Sequence, residues 1–348
     1  MGIDVMKKIL NVLYQSDNNY ADLTGVSIAS LFINNQHLDE INVYLLNDMI
    51  SQENLKKMER LCKRYSRNLI IVDTREIIAR LKKLNVEPYK NTYTTYFKLF
   101  AVGKLDFNTD RVLQLDGDTI INGPLDELLD MDLAGFVCAA TYECILNEYK
   151  RMIDIPKNDK YYNCGVLLIN KKIWDAYNCE EKIVYHLSNV RNRYFTVDQD
   201  IINVLFRDKI KYLHLKYNFN SGFYIYGIKE SVKIYNLKTE YYSTLEQIKE
   251  AYECPVIYHC MGAMTGRPLE RDNINTQNDI YDEYLKHSPL KDNEKKIVNR
   301  SLLFKIQRKL YLMLPRRIYA PIHRLVLWLY LKQKNNATLK MQRNNNYK

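Results

Sequence analysis

Five short segments of this 348-residue chain carry residue types that could do chemistry. The first is Asp116-Gly117-Asp118. Two carboxylates two positions apart on an extended segment project to the same side, and Gly117 between them leaves room for a ligand. Such a pair offers hard oxygen ligands to a divalent cation, Mn2+ or Mg2+ by preference. The spacing alone is weak, because aspartate pairs at this interval also occur at 130/132 and 198/200. The plain alternative is a polar exit from a strand. What distinguishes 116/118 is its place, behind the apolar VLQL and ahead of TIINGPLDEL.

His259 ends the apolar run in PVIYHCMG. It reads either as a core histidine bonded to backbone or as a third metal ligand through a ring nitrogen. Gly262 and Arg267 follow, and a glycine-bearing loop with a cation nearby suits a diphosphate. Asp198-Gln199-Asp200 opens the helical pattern DQDIINVLF. Acidic groups are favoured at a helix N-terminus by the dipole in any case, but capping does not explain Gln199. Asn163-Cys164-Gly165 enters the strand GVLLIN, where Asn163 either binds a sugar hydroxyl or forms the turn that Asn and Gly favour. The chain has no Gly-rich dinucleotide fingerprint, P-loop, GxSxG or HExxH. Dehydrogenase, ATPase and esterase readings therefore lose their usual anchors.

The first half of the chain must position these groups, and its pattern alternates. Apolar strand patterns at 9–15, 41–47, 68–74 and 111–118 are separated by helical patterns. These are ADLTGVSIASLFIN with Leu23, Val26, Ile28, Leu31 and Phe32 toward one side, SQENLKKMERLCKRY with Ser51 as N-cap, REIIARLKKL and TTYFKLFAVGKL. Alternation of this kind predicts an α/β domain with a mostly parallel sheet. Ligands of such sheets sit beyond the carboxyl ends of the strands. Asp17 ends the first strand and Asp116 and Asp118 end the fourth, so the three converge on one edge. No linker or internal repeat interrupts the chain before about 285, which predicts one domain over 1–285 and a separate tail over 286–348.

The formal net charge is +10, from 51 Lys+Arg and 41 Asp+Glu. Residues 291–348 alone hold 15 basic and 2 acidic residues, a net of +13, which leaves −3 for residues 1–290. The chain is thus a near-neutral body with a basic tail. Seven scattered cysteines with no CxxC spacing argue against a disulfide framework or a zinc ribbon and for a reducing compartment. The longest apolar run, LVLWLYL at 325–331, is too short to cross a bilayer. No secretory signal pattern begins the chain.

Taken in order, SDNNYADLTGVSIASL, TTYFKL, VLQLDGDTIINGPLDEL, YYNCGVLLINKKIW, VDQDIIN and YHCMG with RPL resemble glycosyltransferase family 8. Within it, the likeness is to bacterial lipopolysaccharide galactosyl- and glucosyltransferases. The resemblance implies a GT-A fold with a single Rossmann-like nucleotide-sugar-binding domain. It also implies a UDP-galactose or UDP-glucose donor, Mn2+ (or Mg2+), and retention of anomeric configuration. Its acceptor would be a glycan or lipid-linked saccharide in surface polysaccharide or lipopolysaccharide synthesis. By match to the family motifs, Asp17, Asn18, Asn19, Tyr20, Asp116, Gly117, Gly262 and Arg267 would bind the nucleotide. Asp116, Asp118 and His259 would hold the metal. Lys98, Asn163, Cys164, Asp198 and Gln199 would surround the donor sugar, with Gln199 or Asp198 beside the anomeric carbon. The family usually carries Arg where Lys98 stands. A glycogenin-like self-glycosylating initiator and a non-catalytic sugar-nucleotide-binding protein are the competing readings.

In the tail, residues 300–332 interleave Arg300, Lys305, Arg308, Lys309, Arg316, Arg317 and Arg324 with Leu302, Leu303, Phe304, Ile306, Leu310, Ile322, Leu325, Trp328 and Leu329. A cationic amphipathic helix suits an anionic membrane surface; packing on the domain is the alternative, and nothing else points to nucleic acid. The expected location is cytoplasmic, peripheral on the inner face of the cell membrane. Deleting the tail is expected to release the protein from vesicles and to spare UDP-sugar hydrolysis.

Overall fold

The computed structural model describes residues 7–189, 194–262 and 264–345. Its strands are β1 (Ile9–Asp17), β2 (Glu40–Asp48), β3 (Asn68–Asp73), β4 (Arg111–Asp116), β5 (Thr119–Ile121), β6 (Cys138–Ala140), β7 (Val166–Asn170), β8 (Ile210–Tyr212), β9 (Phe219–Asn220) and β10 (Ile257–His259). Seven form one sheet in the order β3-β2-β1-β4-β7-β6-β8, and β5-β10-β9 form a second. Pairings β1–β2, β2–β3, β1–β4 and β6–β8 are parallel, while β7 is antiparallel to both its neighbours. β7 therefore runs against the other six. The expected parallel α/β sheet is present, with this one reversal.

The reversal matters for the site. It brings the entrance of β7 to the same edge as the exits of β1 and β4, and Asp116 N–H donates to Gly165 O at 2.7 Å. The helices on the first half follow the apolar spacing: α1 (Ala21–Asn34), α2 (Gln52–Arg64), α3 (Arg75–Lys83) and α4 (Phe97–Ala101). Ser51 caps α2 by accepting from Asn54 N–H at 3.2 Å. α1 departs from the one-sided expectation, because every residue from Ala21 to Phe32 is buried. It lies between the two sheets. Ile28, Leu31 and Phe32 join the core of the large sheet, and Leu23 and Val26 join Ile120 and Tyr258 of the small one.

Later in the chain come α5 (Asp198–Phe206), α6 (Leu302–Met313) and α7 (Arg316–Asn345), the last two separated at Pro315 as the sequence suggests. The tail helices lie on the body with one face. Tyr311, Tyr319 and Ala320 pack with Ile225, Tyr226 and Ile234, and Leu331 packs with Leu146, Tyr149 and Tyr161. The other face is exposed, including Leu302, Leu303, Leu312, Met313, Leu325 and Leu329. Among the described residues, no helix is long and apolar enough to cross a membrane.

Candidate active site

The two sheets meet at Asp116-Gly117-Asp118. β4 ends at Asp116, and β5 begins immediately after Asp118. β10 pairs with β5 so that His259 faces Thr119, and Cys260 N–H donates to Asp118 O at 2.8 Å. This register is what carries His259, 141 positions away, to the aspartates. One ligand atom from each of Asp116, Asp118 and His259 lies within 4.8 Å of the others. Gly117 has a different use from the expected one. A Cβ there would fall 2.3 Å from Thr24 Oγ1, so its bareness lets α1 approach.

A chain of buried amides sets the state of His259. Gly165 N–H donates to Asn163 Oδ1 at 2.8 Å, which fixes that oxygen as an acceptor. Asn218 must therefore turn its NH2 to the same oxygen, at 2.7 Å. Its own oxygen then faces His259 Nδ1 at 2.9 Å, so Nδ1 carries the proton. In the neutral ring Nε2 is left with its lone pair aimed at Asp118 Oδ1, 3.2 Å away. Two acceptors at that distance need a cation or a proton between them. The donor set of two carboxylates and an imidazole fits Mn2+, and Mg2+ less closely because of the nitrogen. Behind the amides, Asn163 Nδ2 donates to the half-buried carboxylate of Glu143, which also accepts from Cys144 N–H at 2.7 Å and Asn220 Nδ2 at 3.1 Å. Burial raises the Glu143 carboxyl above its ordinary value despite these bonds.

Charge at the centre is balanced. Burial works against ionised Asp118, but His259 and Arg267 outweigh it and hold the carboxyl well below the usual range. Arg267 Nε donates to Asp118 Oδ2 at 2.9 Å, and its guanidinium stands 5.3 Å from the ring centre of Tyr20. A Cβ on Gly262 would fall 2.8 Å from Arg267 Nη1, so that glycine makes room for the arginine. Lys98 is 2% exposed, and its three N–H bonds meet Cys164 O at 2.8 Å, Asp198 Oδ2 at 2.9 Å and Asp116 Oδ1 at 3.1 Å. Three acceptors around one point suit an ammonium better than a planar guanidinium. Burial opposes the Lys98 charge, yet the two aspartates hold it above its ordinary value. Burial pushes the Asp198 carboxyl up to about 6, an effect that Lys98 limits.

Gln199 lies alongside. Its Oε1 accepts from Cys164 N–H at 3.0 Å, and its Nε2 donates to Tyr161 Oη at 3.3 Å. Asp200 faces away from the centre, taking Tyr149 and Tyr161 hydroxyls at 2.5 Å each and Thr196 N–H at 2.9 Å. Val197, immediately before α5, has φ of 34°, a strained value for a β-branched residue, and the turn it makes presents Asp198 and Gln199 together. Cys164 is buried and burial pushes its thiol up, so its contribution is through its backbone.

The structure thus brings together Asp116, Asp118, His259, Arg267, Gly262, Tyr20, Lys98, Asp198, Gln199, Asn163 and Cys164. Asp17 Oδ1 accepts from Tyr20 N–H at 2.9 Å and shapes the turn after β1. Asn18 is turned elsewhere, its Oδ1 accepting from Ser51 N–H at 2.9 Å and Asn54 Nδ2 at 3.0 Å. Asn19 is exposed, and its carbonyl takes Lys296. Asn163 retains a single amide N–H beyond its bonds to Gly165, Asn218 and Glu143. The residues that sequence reasoning missed are Glu143, Asn218 and Gln114; Gly165 enters that reasoning only as part of a turn. Gln114 is buried and holds Asp116 Oδ1 through Nε2 at 3.0 Å, while its own Oε1 has no partner among the described residues. Glu143 and Asn218 carry no spacing signal, since they act through packing between distant segments, whereas Gln114 lies two positions before Asp116 on the same strand.

The sequence profile described as Glycosyl transferase family 8 matches residues 11–265. The chain is 29% identical over 306 residues to lipopolysaccharide 1,2-glucosyltransferase of Escherichia coli K12, covering 86% of this chain and 84% of the relative. It is 31% identical over 233 residues to lipopolysaccharide 1,3-galactosyltransferase of Salmonella typhimurium, covering 64% and 66%. Among solved structures, galactosyltransferase LgtC in complex with donor and acceptor sugar analogues superposes with a TM-score of 0.60 at 23% identity, over 79% of this chain and 95% of that one. That likeness shows the fold, which is GT-A.

Proposed function

Because the chain belongs to glycosyl transferase family 8, as the match over residues 11–265 shows, we propose that this hexosyltransferase uses a UDP-hexose, glucose or galactose, and transfers the sugar with retention. The observation that carries the proposal is the convergence of Asp116, Asp118 and His259 within 4.8 Å, with Arg267 on the same Asp118. Asp116, Asp118 and His259 would hold Mn2+. When bound, the ion supplies a Lewis-acid charge to the diphosphate of the donor.

The residues of the chain do the rest. Transfer breaks the bond from the anomeric carbon to the β-phosphate oxygen, so negative charge grows on UDP. Arg267 uses only Nε on Asp118, and among the described residues no protein acceptor takes its Nη1 or Nη2. Those donors are free to stabilise the departing charge. The sugar carbon gains positive character, which the Gln199 carbonyl and the Asp198 carboxylate stabilise. A neutral amide is a poor nucleophile, and Asp198 is neutralised by Lys98 at 2.9 Å. Both facts favour attack by the acceptor hydroxyl on the face the phosphate leaves. The new carbon–oxygen bond forms there, and the hydroxyl proton passes to the departing phosphate oxygen.

The names of the relatives support a saccharide of the cell surface as acceptor. The outward face of α6 and α7 would rest on anionic lipid, placing the protein on a cytoplasmic membrane surface. That face combines exposed Leu302, Leu312, Met313 and Leu325 with Lys305, Lys309 and Arg317. Flotation with phosphatidylglycerol vesicles should retain the wild type and lose a Leu312→Gln/Leu325→Gln variant; equal retention overturns the membrane assignment. The function itself is tested by UDP release and NMR of the product with UDP-glucose and UDP-galactose in Mn2+. One donor should give an α-linked product, and Asp118→Asn should abolish it. A β-linked product refutes retention, and turnover unchanged in Asp118→Asn refutes the metal site.

A further inference from the structure

The segment from Met264 to Asp272, which carries Arg267, is held from behind by the first turns of the tail. Glu270 Oε2 accepts from Arg267 N–H at 2.8 Å, and Glu270 N–H donates back to Arg267 O at 2.9 Å. The same Glu270 Oε2 is gripped by Arg300. Arg308 Nε donates to Met264 O at 3.0 Å, and its Nη1 donates to Asp272 O and Asp272 Oδ2, both at 2.7 Å. Arg300 Nε reaches that same carboxylate at 3.2 Å. Both guanidiniums stand over the Phe304 ring, 4.6 Å and 4.9 Å from its centre. Further along, Lys296 N–H donates to Leu269 O at 2.8 Å, and Arg271 N–H donates to Lys296 O at 2.9 Å.

The enclosure is close. Gly266 sits at φ +86°, and a Cβ there would meet Glu270 Oε2 at 2.7 Å, Arg308 Nη2 at 3.3 Å and Arg300 Nη2 at 3.4 Å. Arg300 and Arg308 are 17% and 12% exposed at their side chains, so they are not solvated surface charges. Two fixed cations here bind acceptors on both sides of Arg267, at Met264, Glu270 and Asp272. Without them the loop keeps its backbone bonds to Lys296 but loses the side-chain grips at Met264, Glu270 and Asp272.

We propose that Arg300 and Arg308 are positioning residues of the donor site, which set Arg267 against Asp118 by clamping Met264–Asp272. The tail is then part of the active site as well as its outward face. The expectation that its deletion spares UDP-sugar hydrolysis does not fit these contacts. The inference rests on Arg267 as the diphosphate grip, and the test separates the two.

The test is a double-mutant cycle on full-length protein, read as the Kd for UDP in Mn2+ by calorimetry and as KM and kcat for the donor. Arg267→Ala alone should weaken UDP at least 10-fold; if it does not, the reading of Arg267 fails. Arg308→Ala should weaken UDP about 5- to 20-fold in the wild-type background and less than 2-fold in the Arg267→Ala background. KM should rise more than kcat falls, and Arg308→Lys should restore part of the loss. The milder Glu270→Gln should shift KM in the same direction, which keeps the test valid if Arg308→Ala misfolds. Equal UDP losses from Arg308→Ala in both backgrounds, or wild-type affinity in Arg308→Ala and Glu270→Gln, would overturn the proposal.

Discussion

Replacing Gly165 by Ala adds one methyl group against the His259 ring. The new Cβ would stand 2.3 Å from His259 Cε1 and 2.8 Å from Nδ1. Carbon atoms in contact stay about 3.5 Å apart, so the ring must retreat by about 1.2 Å. The Gly165 backbone lies outside the left-handed region, so Ala costs nothing in φ. Overpacking a core of this kind costs about 1–3 kcal/mol, which a stable fold tolerates. The functional cost is larger. Nε2 moves away from Asp118 Oδ1, now at 3.2 Å, and Nδ1 loses its line to Asn218. Disturbing the groups that orient a metal ligand typically costs 10- to 100-fold in affinity, and a 1 Å misplacement costs about 100-fold in rate. Calorimetric titration of Gly165→Ala with Mn2+ should show at least a 10-fold rise in Kd, and UDP release should fall about 100-fold. Gly123→Ala is the control, since its Cβ meets Val256 at an ordinary 3.4 Å. Wild-type Mn2+ affinity in Gly165→Ala would refute the placement of His259 as a ligand.

Asn218→Leu removes the acceptor that fixes the Nδ1 proton of His259, and Mn2+ affinity should fall about 10-fold or more; an unaltered Kd refutes the tautomer argument. Lys98→Met leaves Asp116 and Asp198 without their shared cation, and loss of one partner from a buried pair costs about 3–5 kcal/mol. Urea midpoints should show that loss, and a change below about 1 kcal/mol contradicts the charge assignment. Burial lowers the Lys150 ammonium to about 8, against the raising effect of Asp159. Between that value and the ordinary 10.5 the unfolded chain binds a proton that the folded chain does not. Stability of the wild type relative to Lys150→Met should therefore rise with pH across that interval, and a flat difference contradicts it.

Much of this site was legible because strands fix where their ends lie. Asp17 and Asp116 could be placed on one edge from strand patterns alone, and β1–β4 pairing puts Gln15 opposite Asp116. His259 could be nominated but not placed, because its position depends on β10 entering a second sheet beside β5. The one-sided reading of α1 failed for a related reason: a helix between two sheets buries all its faces, and periodicity reports only one. Gly117 looked like space for a ligand, but the space belongs to Thr24. Asn18 matched a family motif, yet its side chain holds the entrance of α2. Glu143 and Asn218 were invisible, since a buried amide chain leaves no period or spacing. In the tail the alternative of packing on the domain is present, since Tyr319 and Leu331 are buried against it, while Leu312 and Leu325 are exposed.

The proposed transfer requires one divalent ion among Asp116, Asp118 and His259. Anomalous diffraction at the manganese edge, from crystals grown with UDP and Mn2+, would locate that ion. A single strong peak within bonding distance of one oxygen from each aspartate and of His259 Nε2 is the predicted result. A peak elsewhere, or an imidazole still bonded to Asp118 with UDP bound and no peak between them, would contradict it.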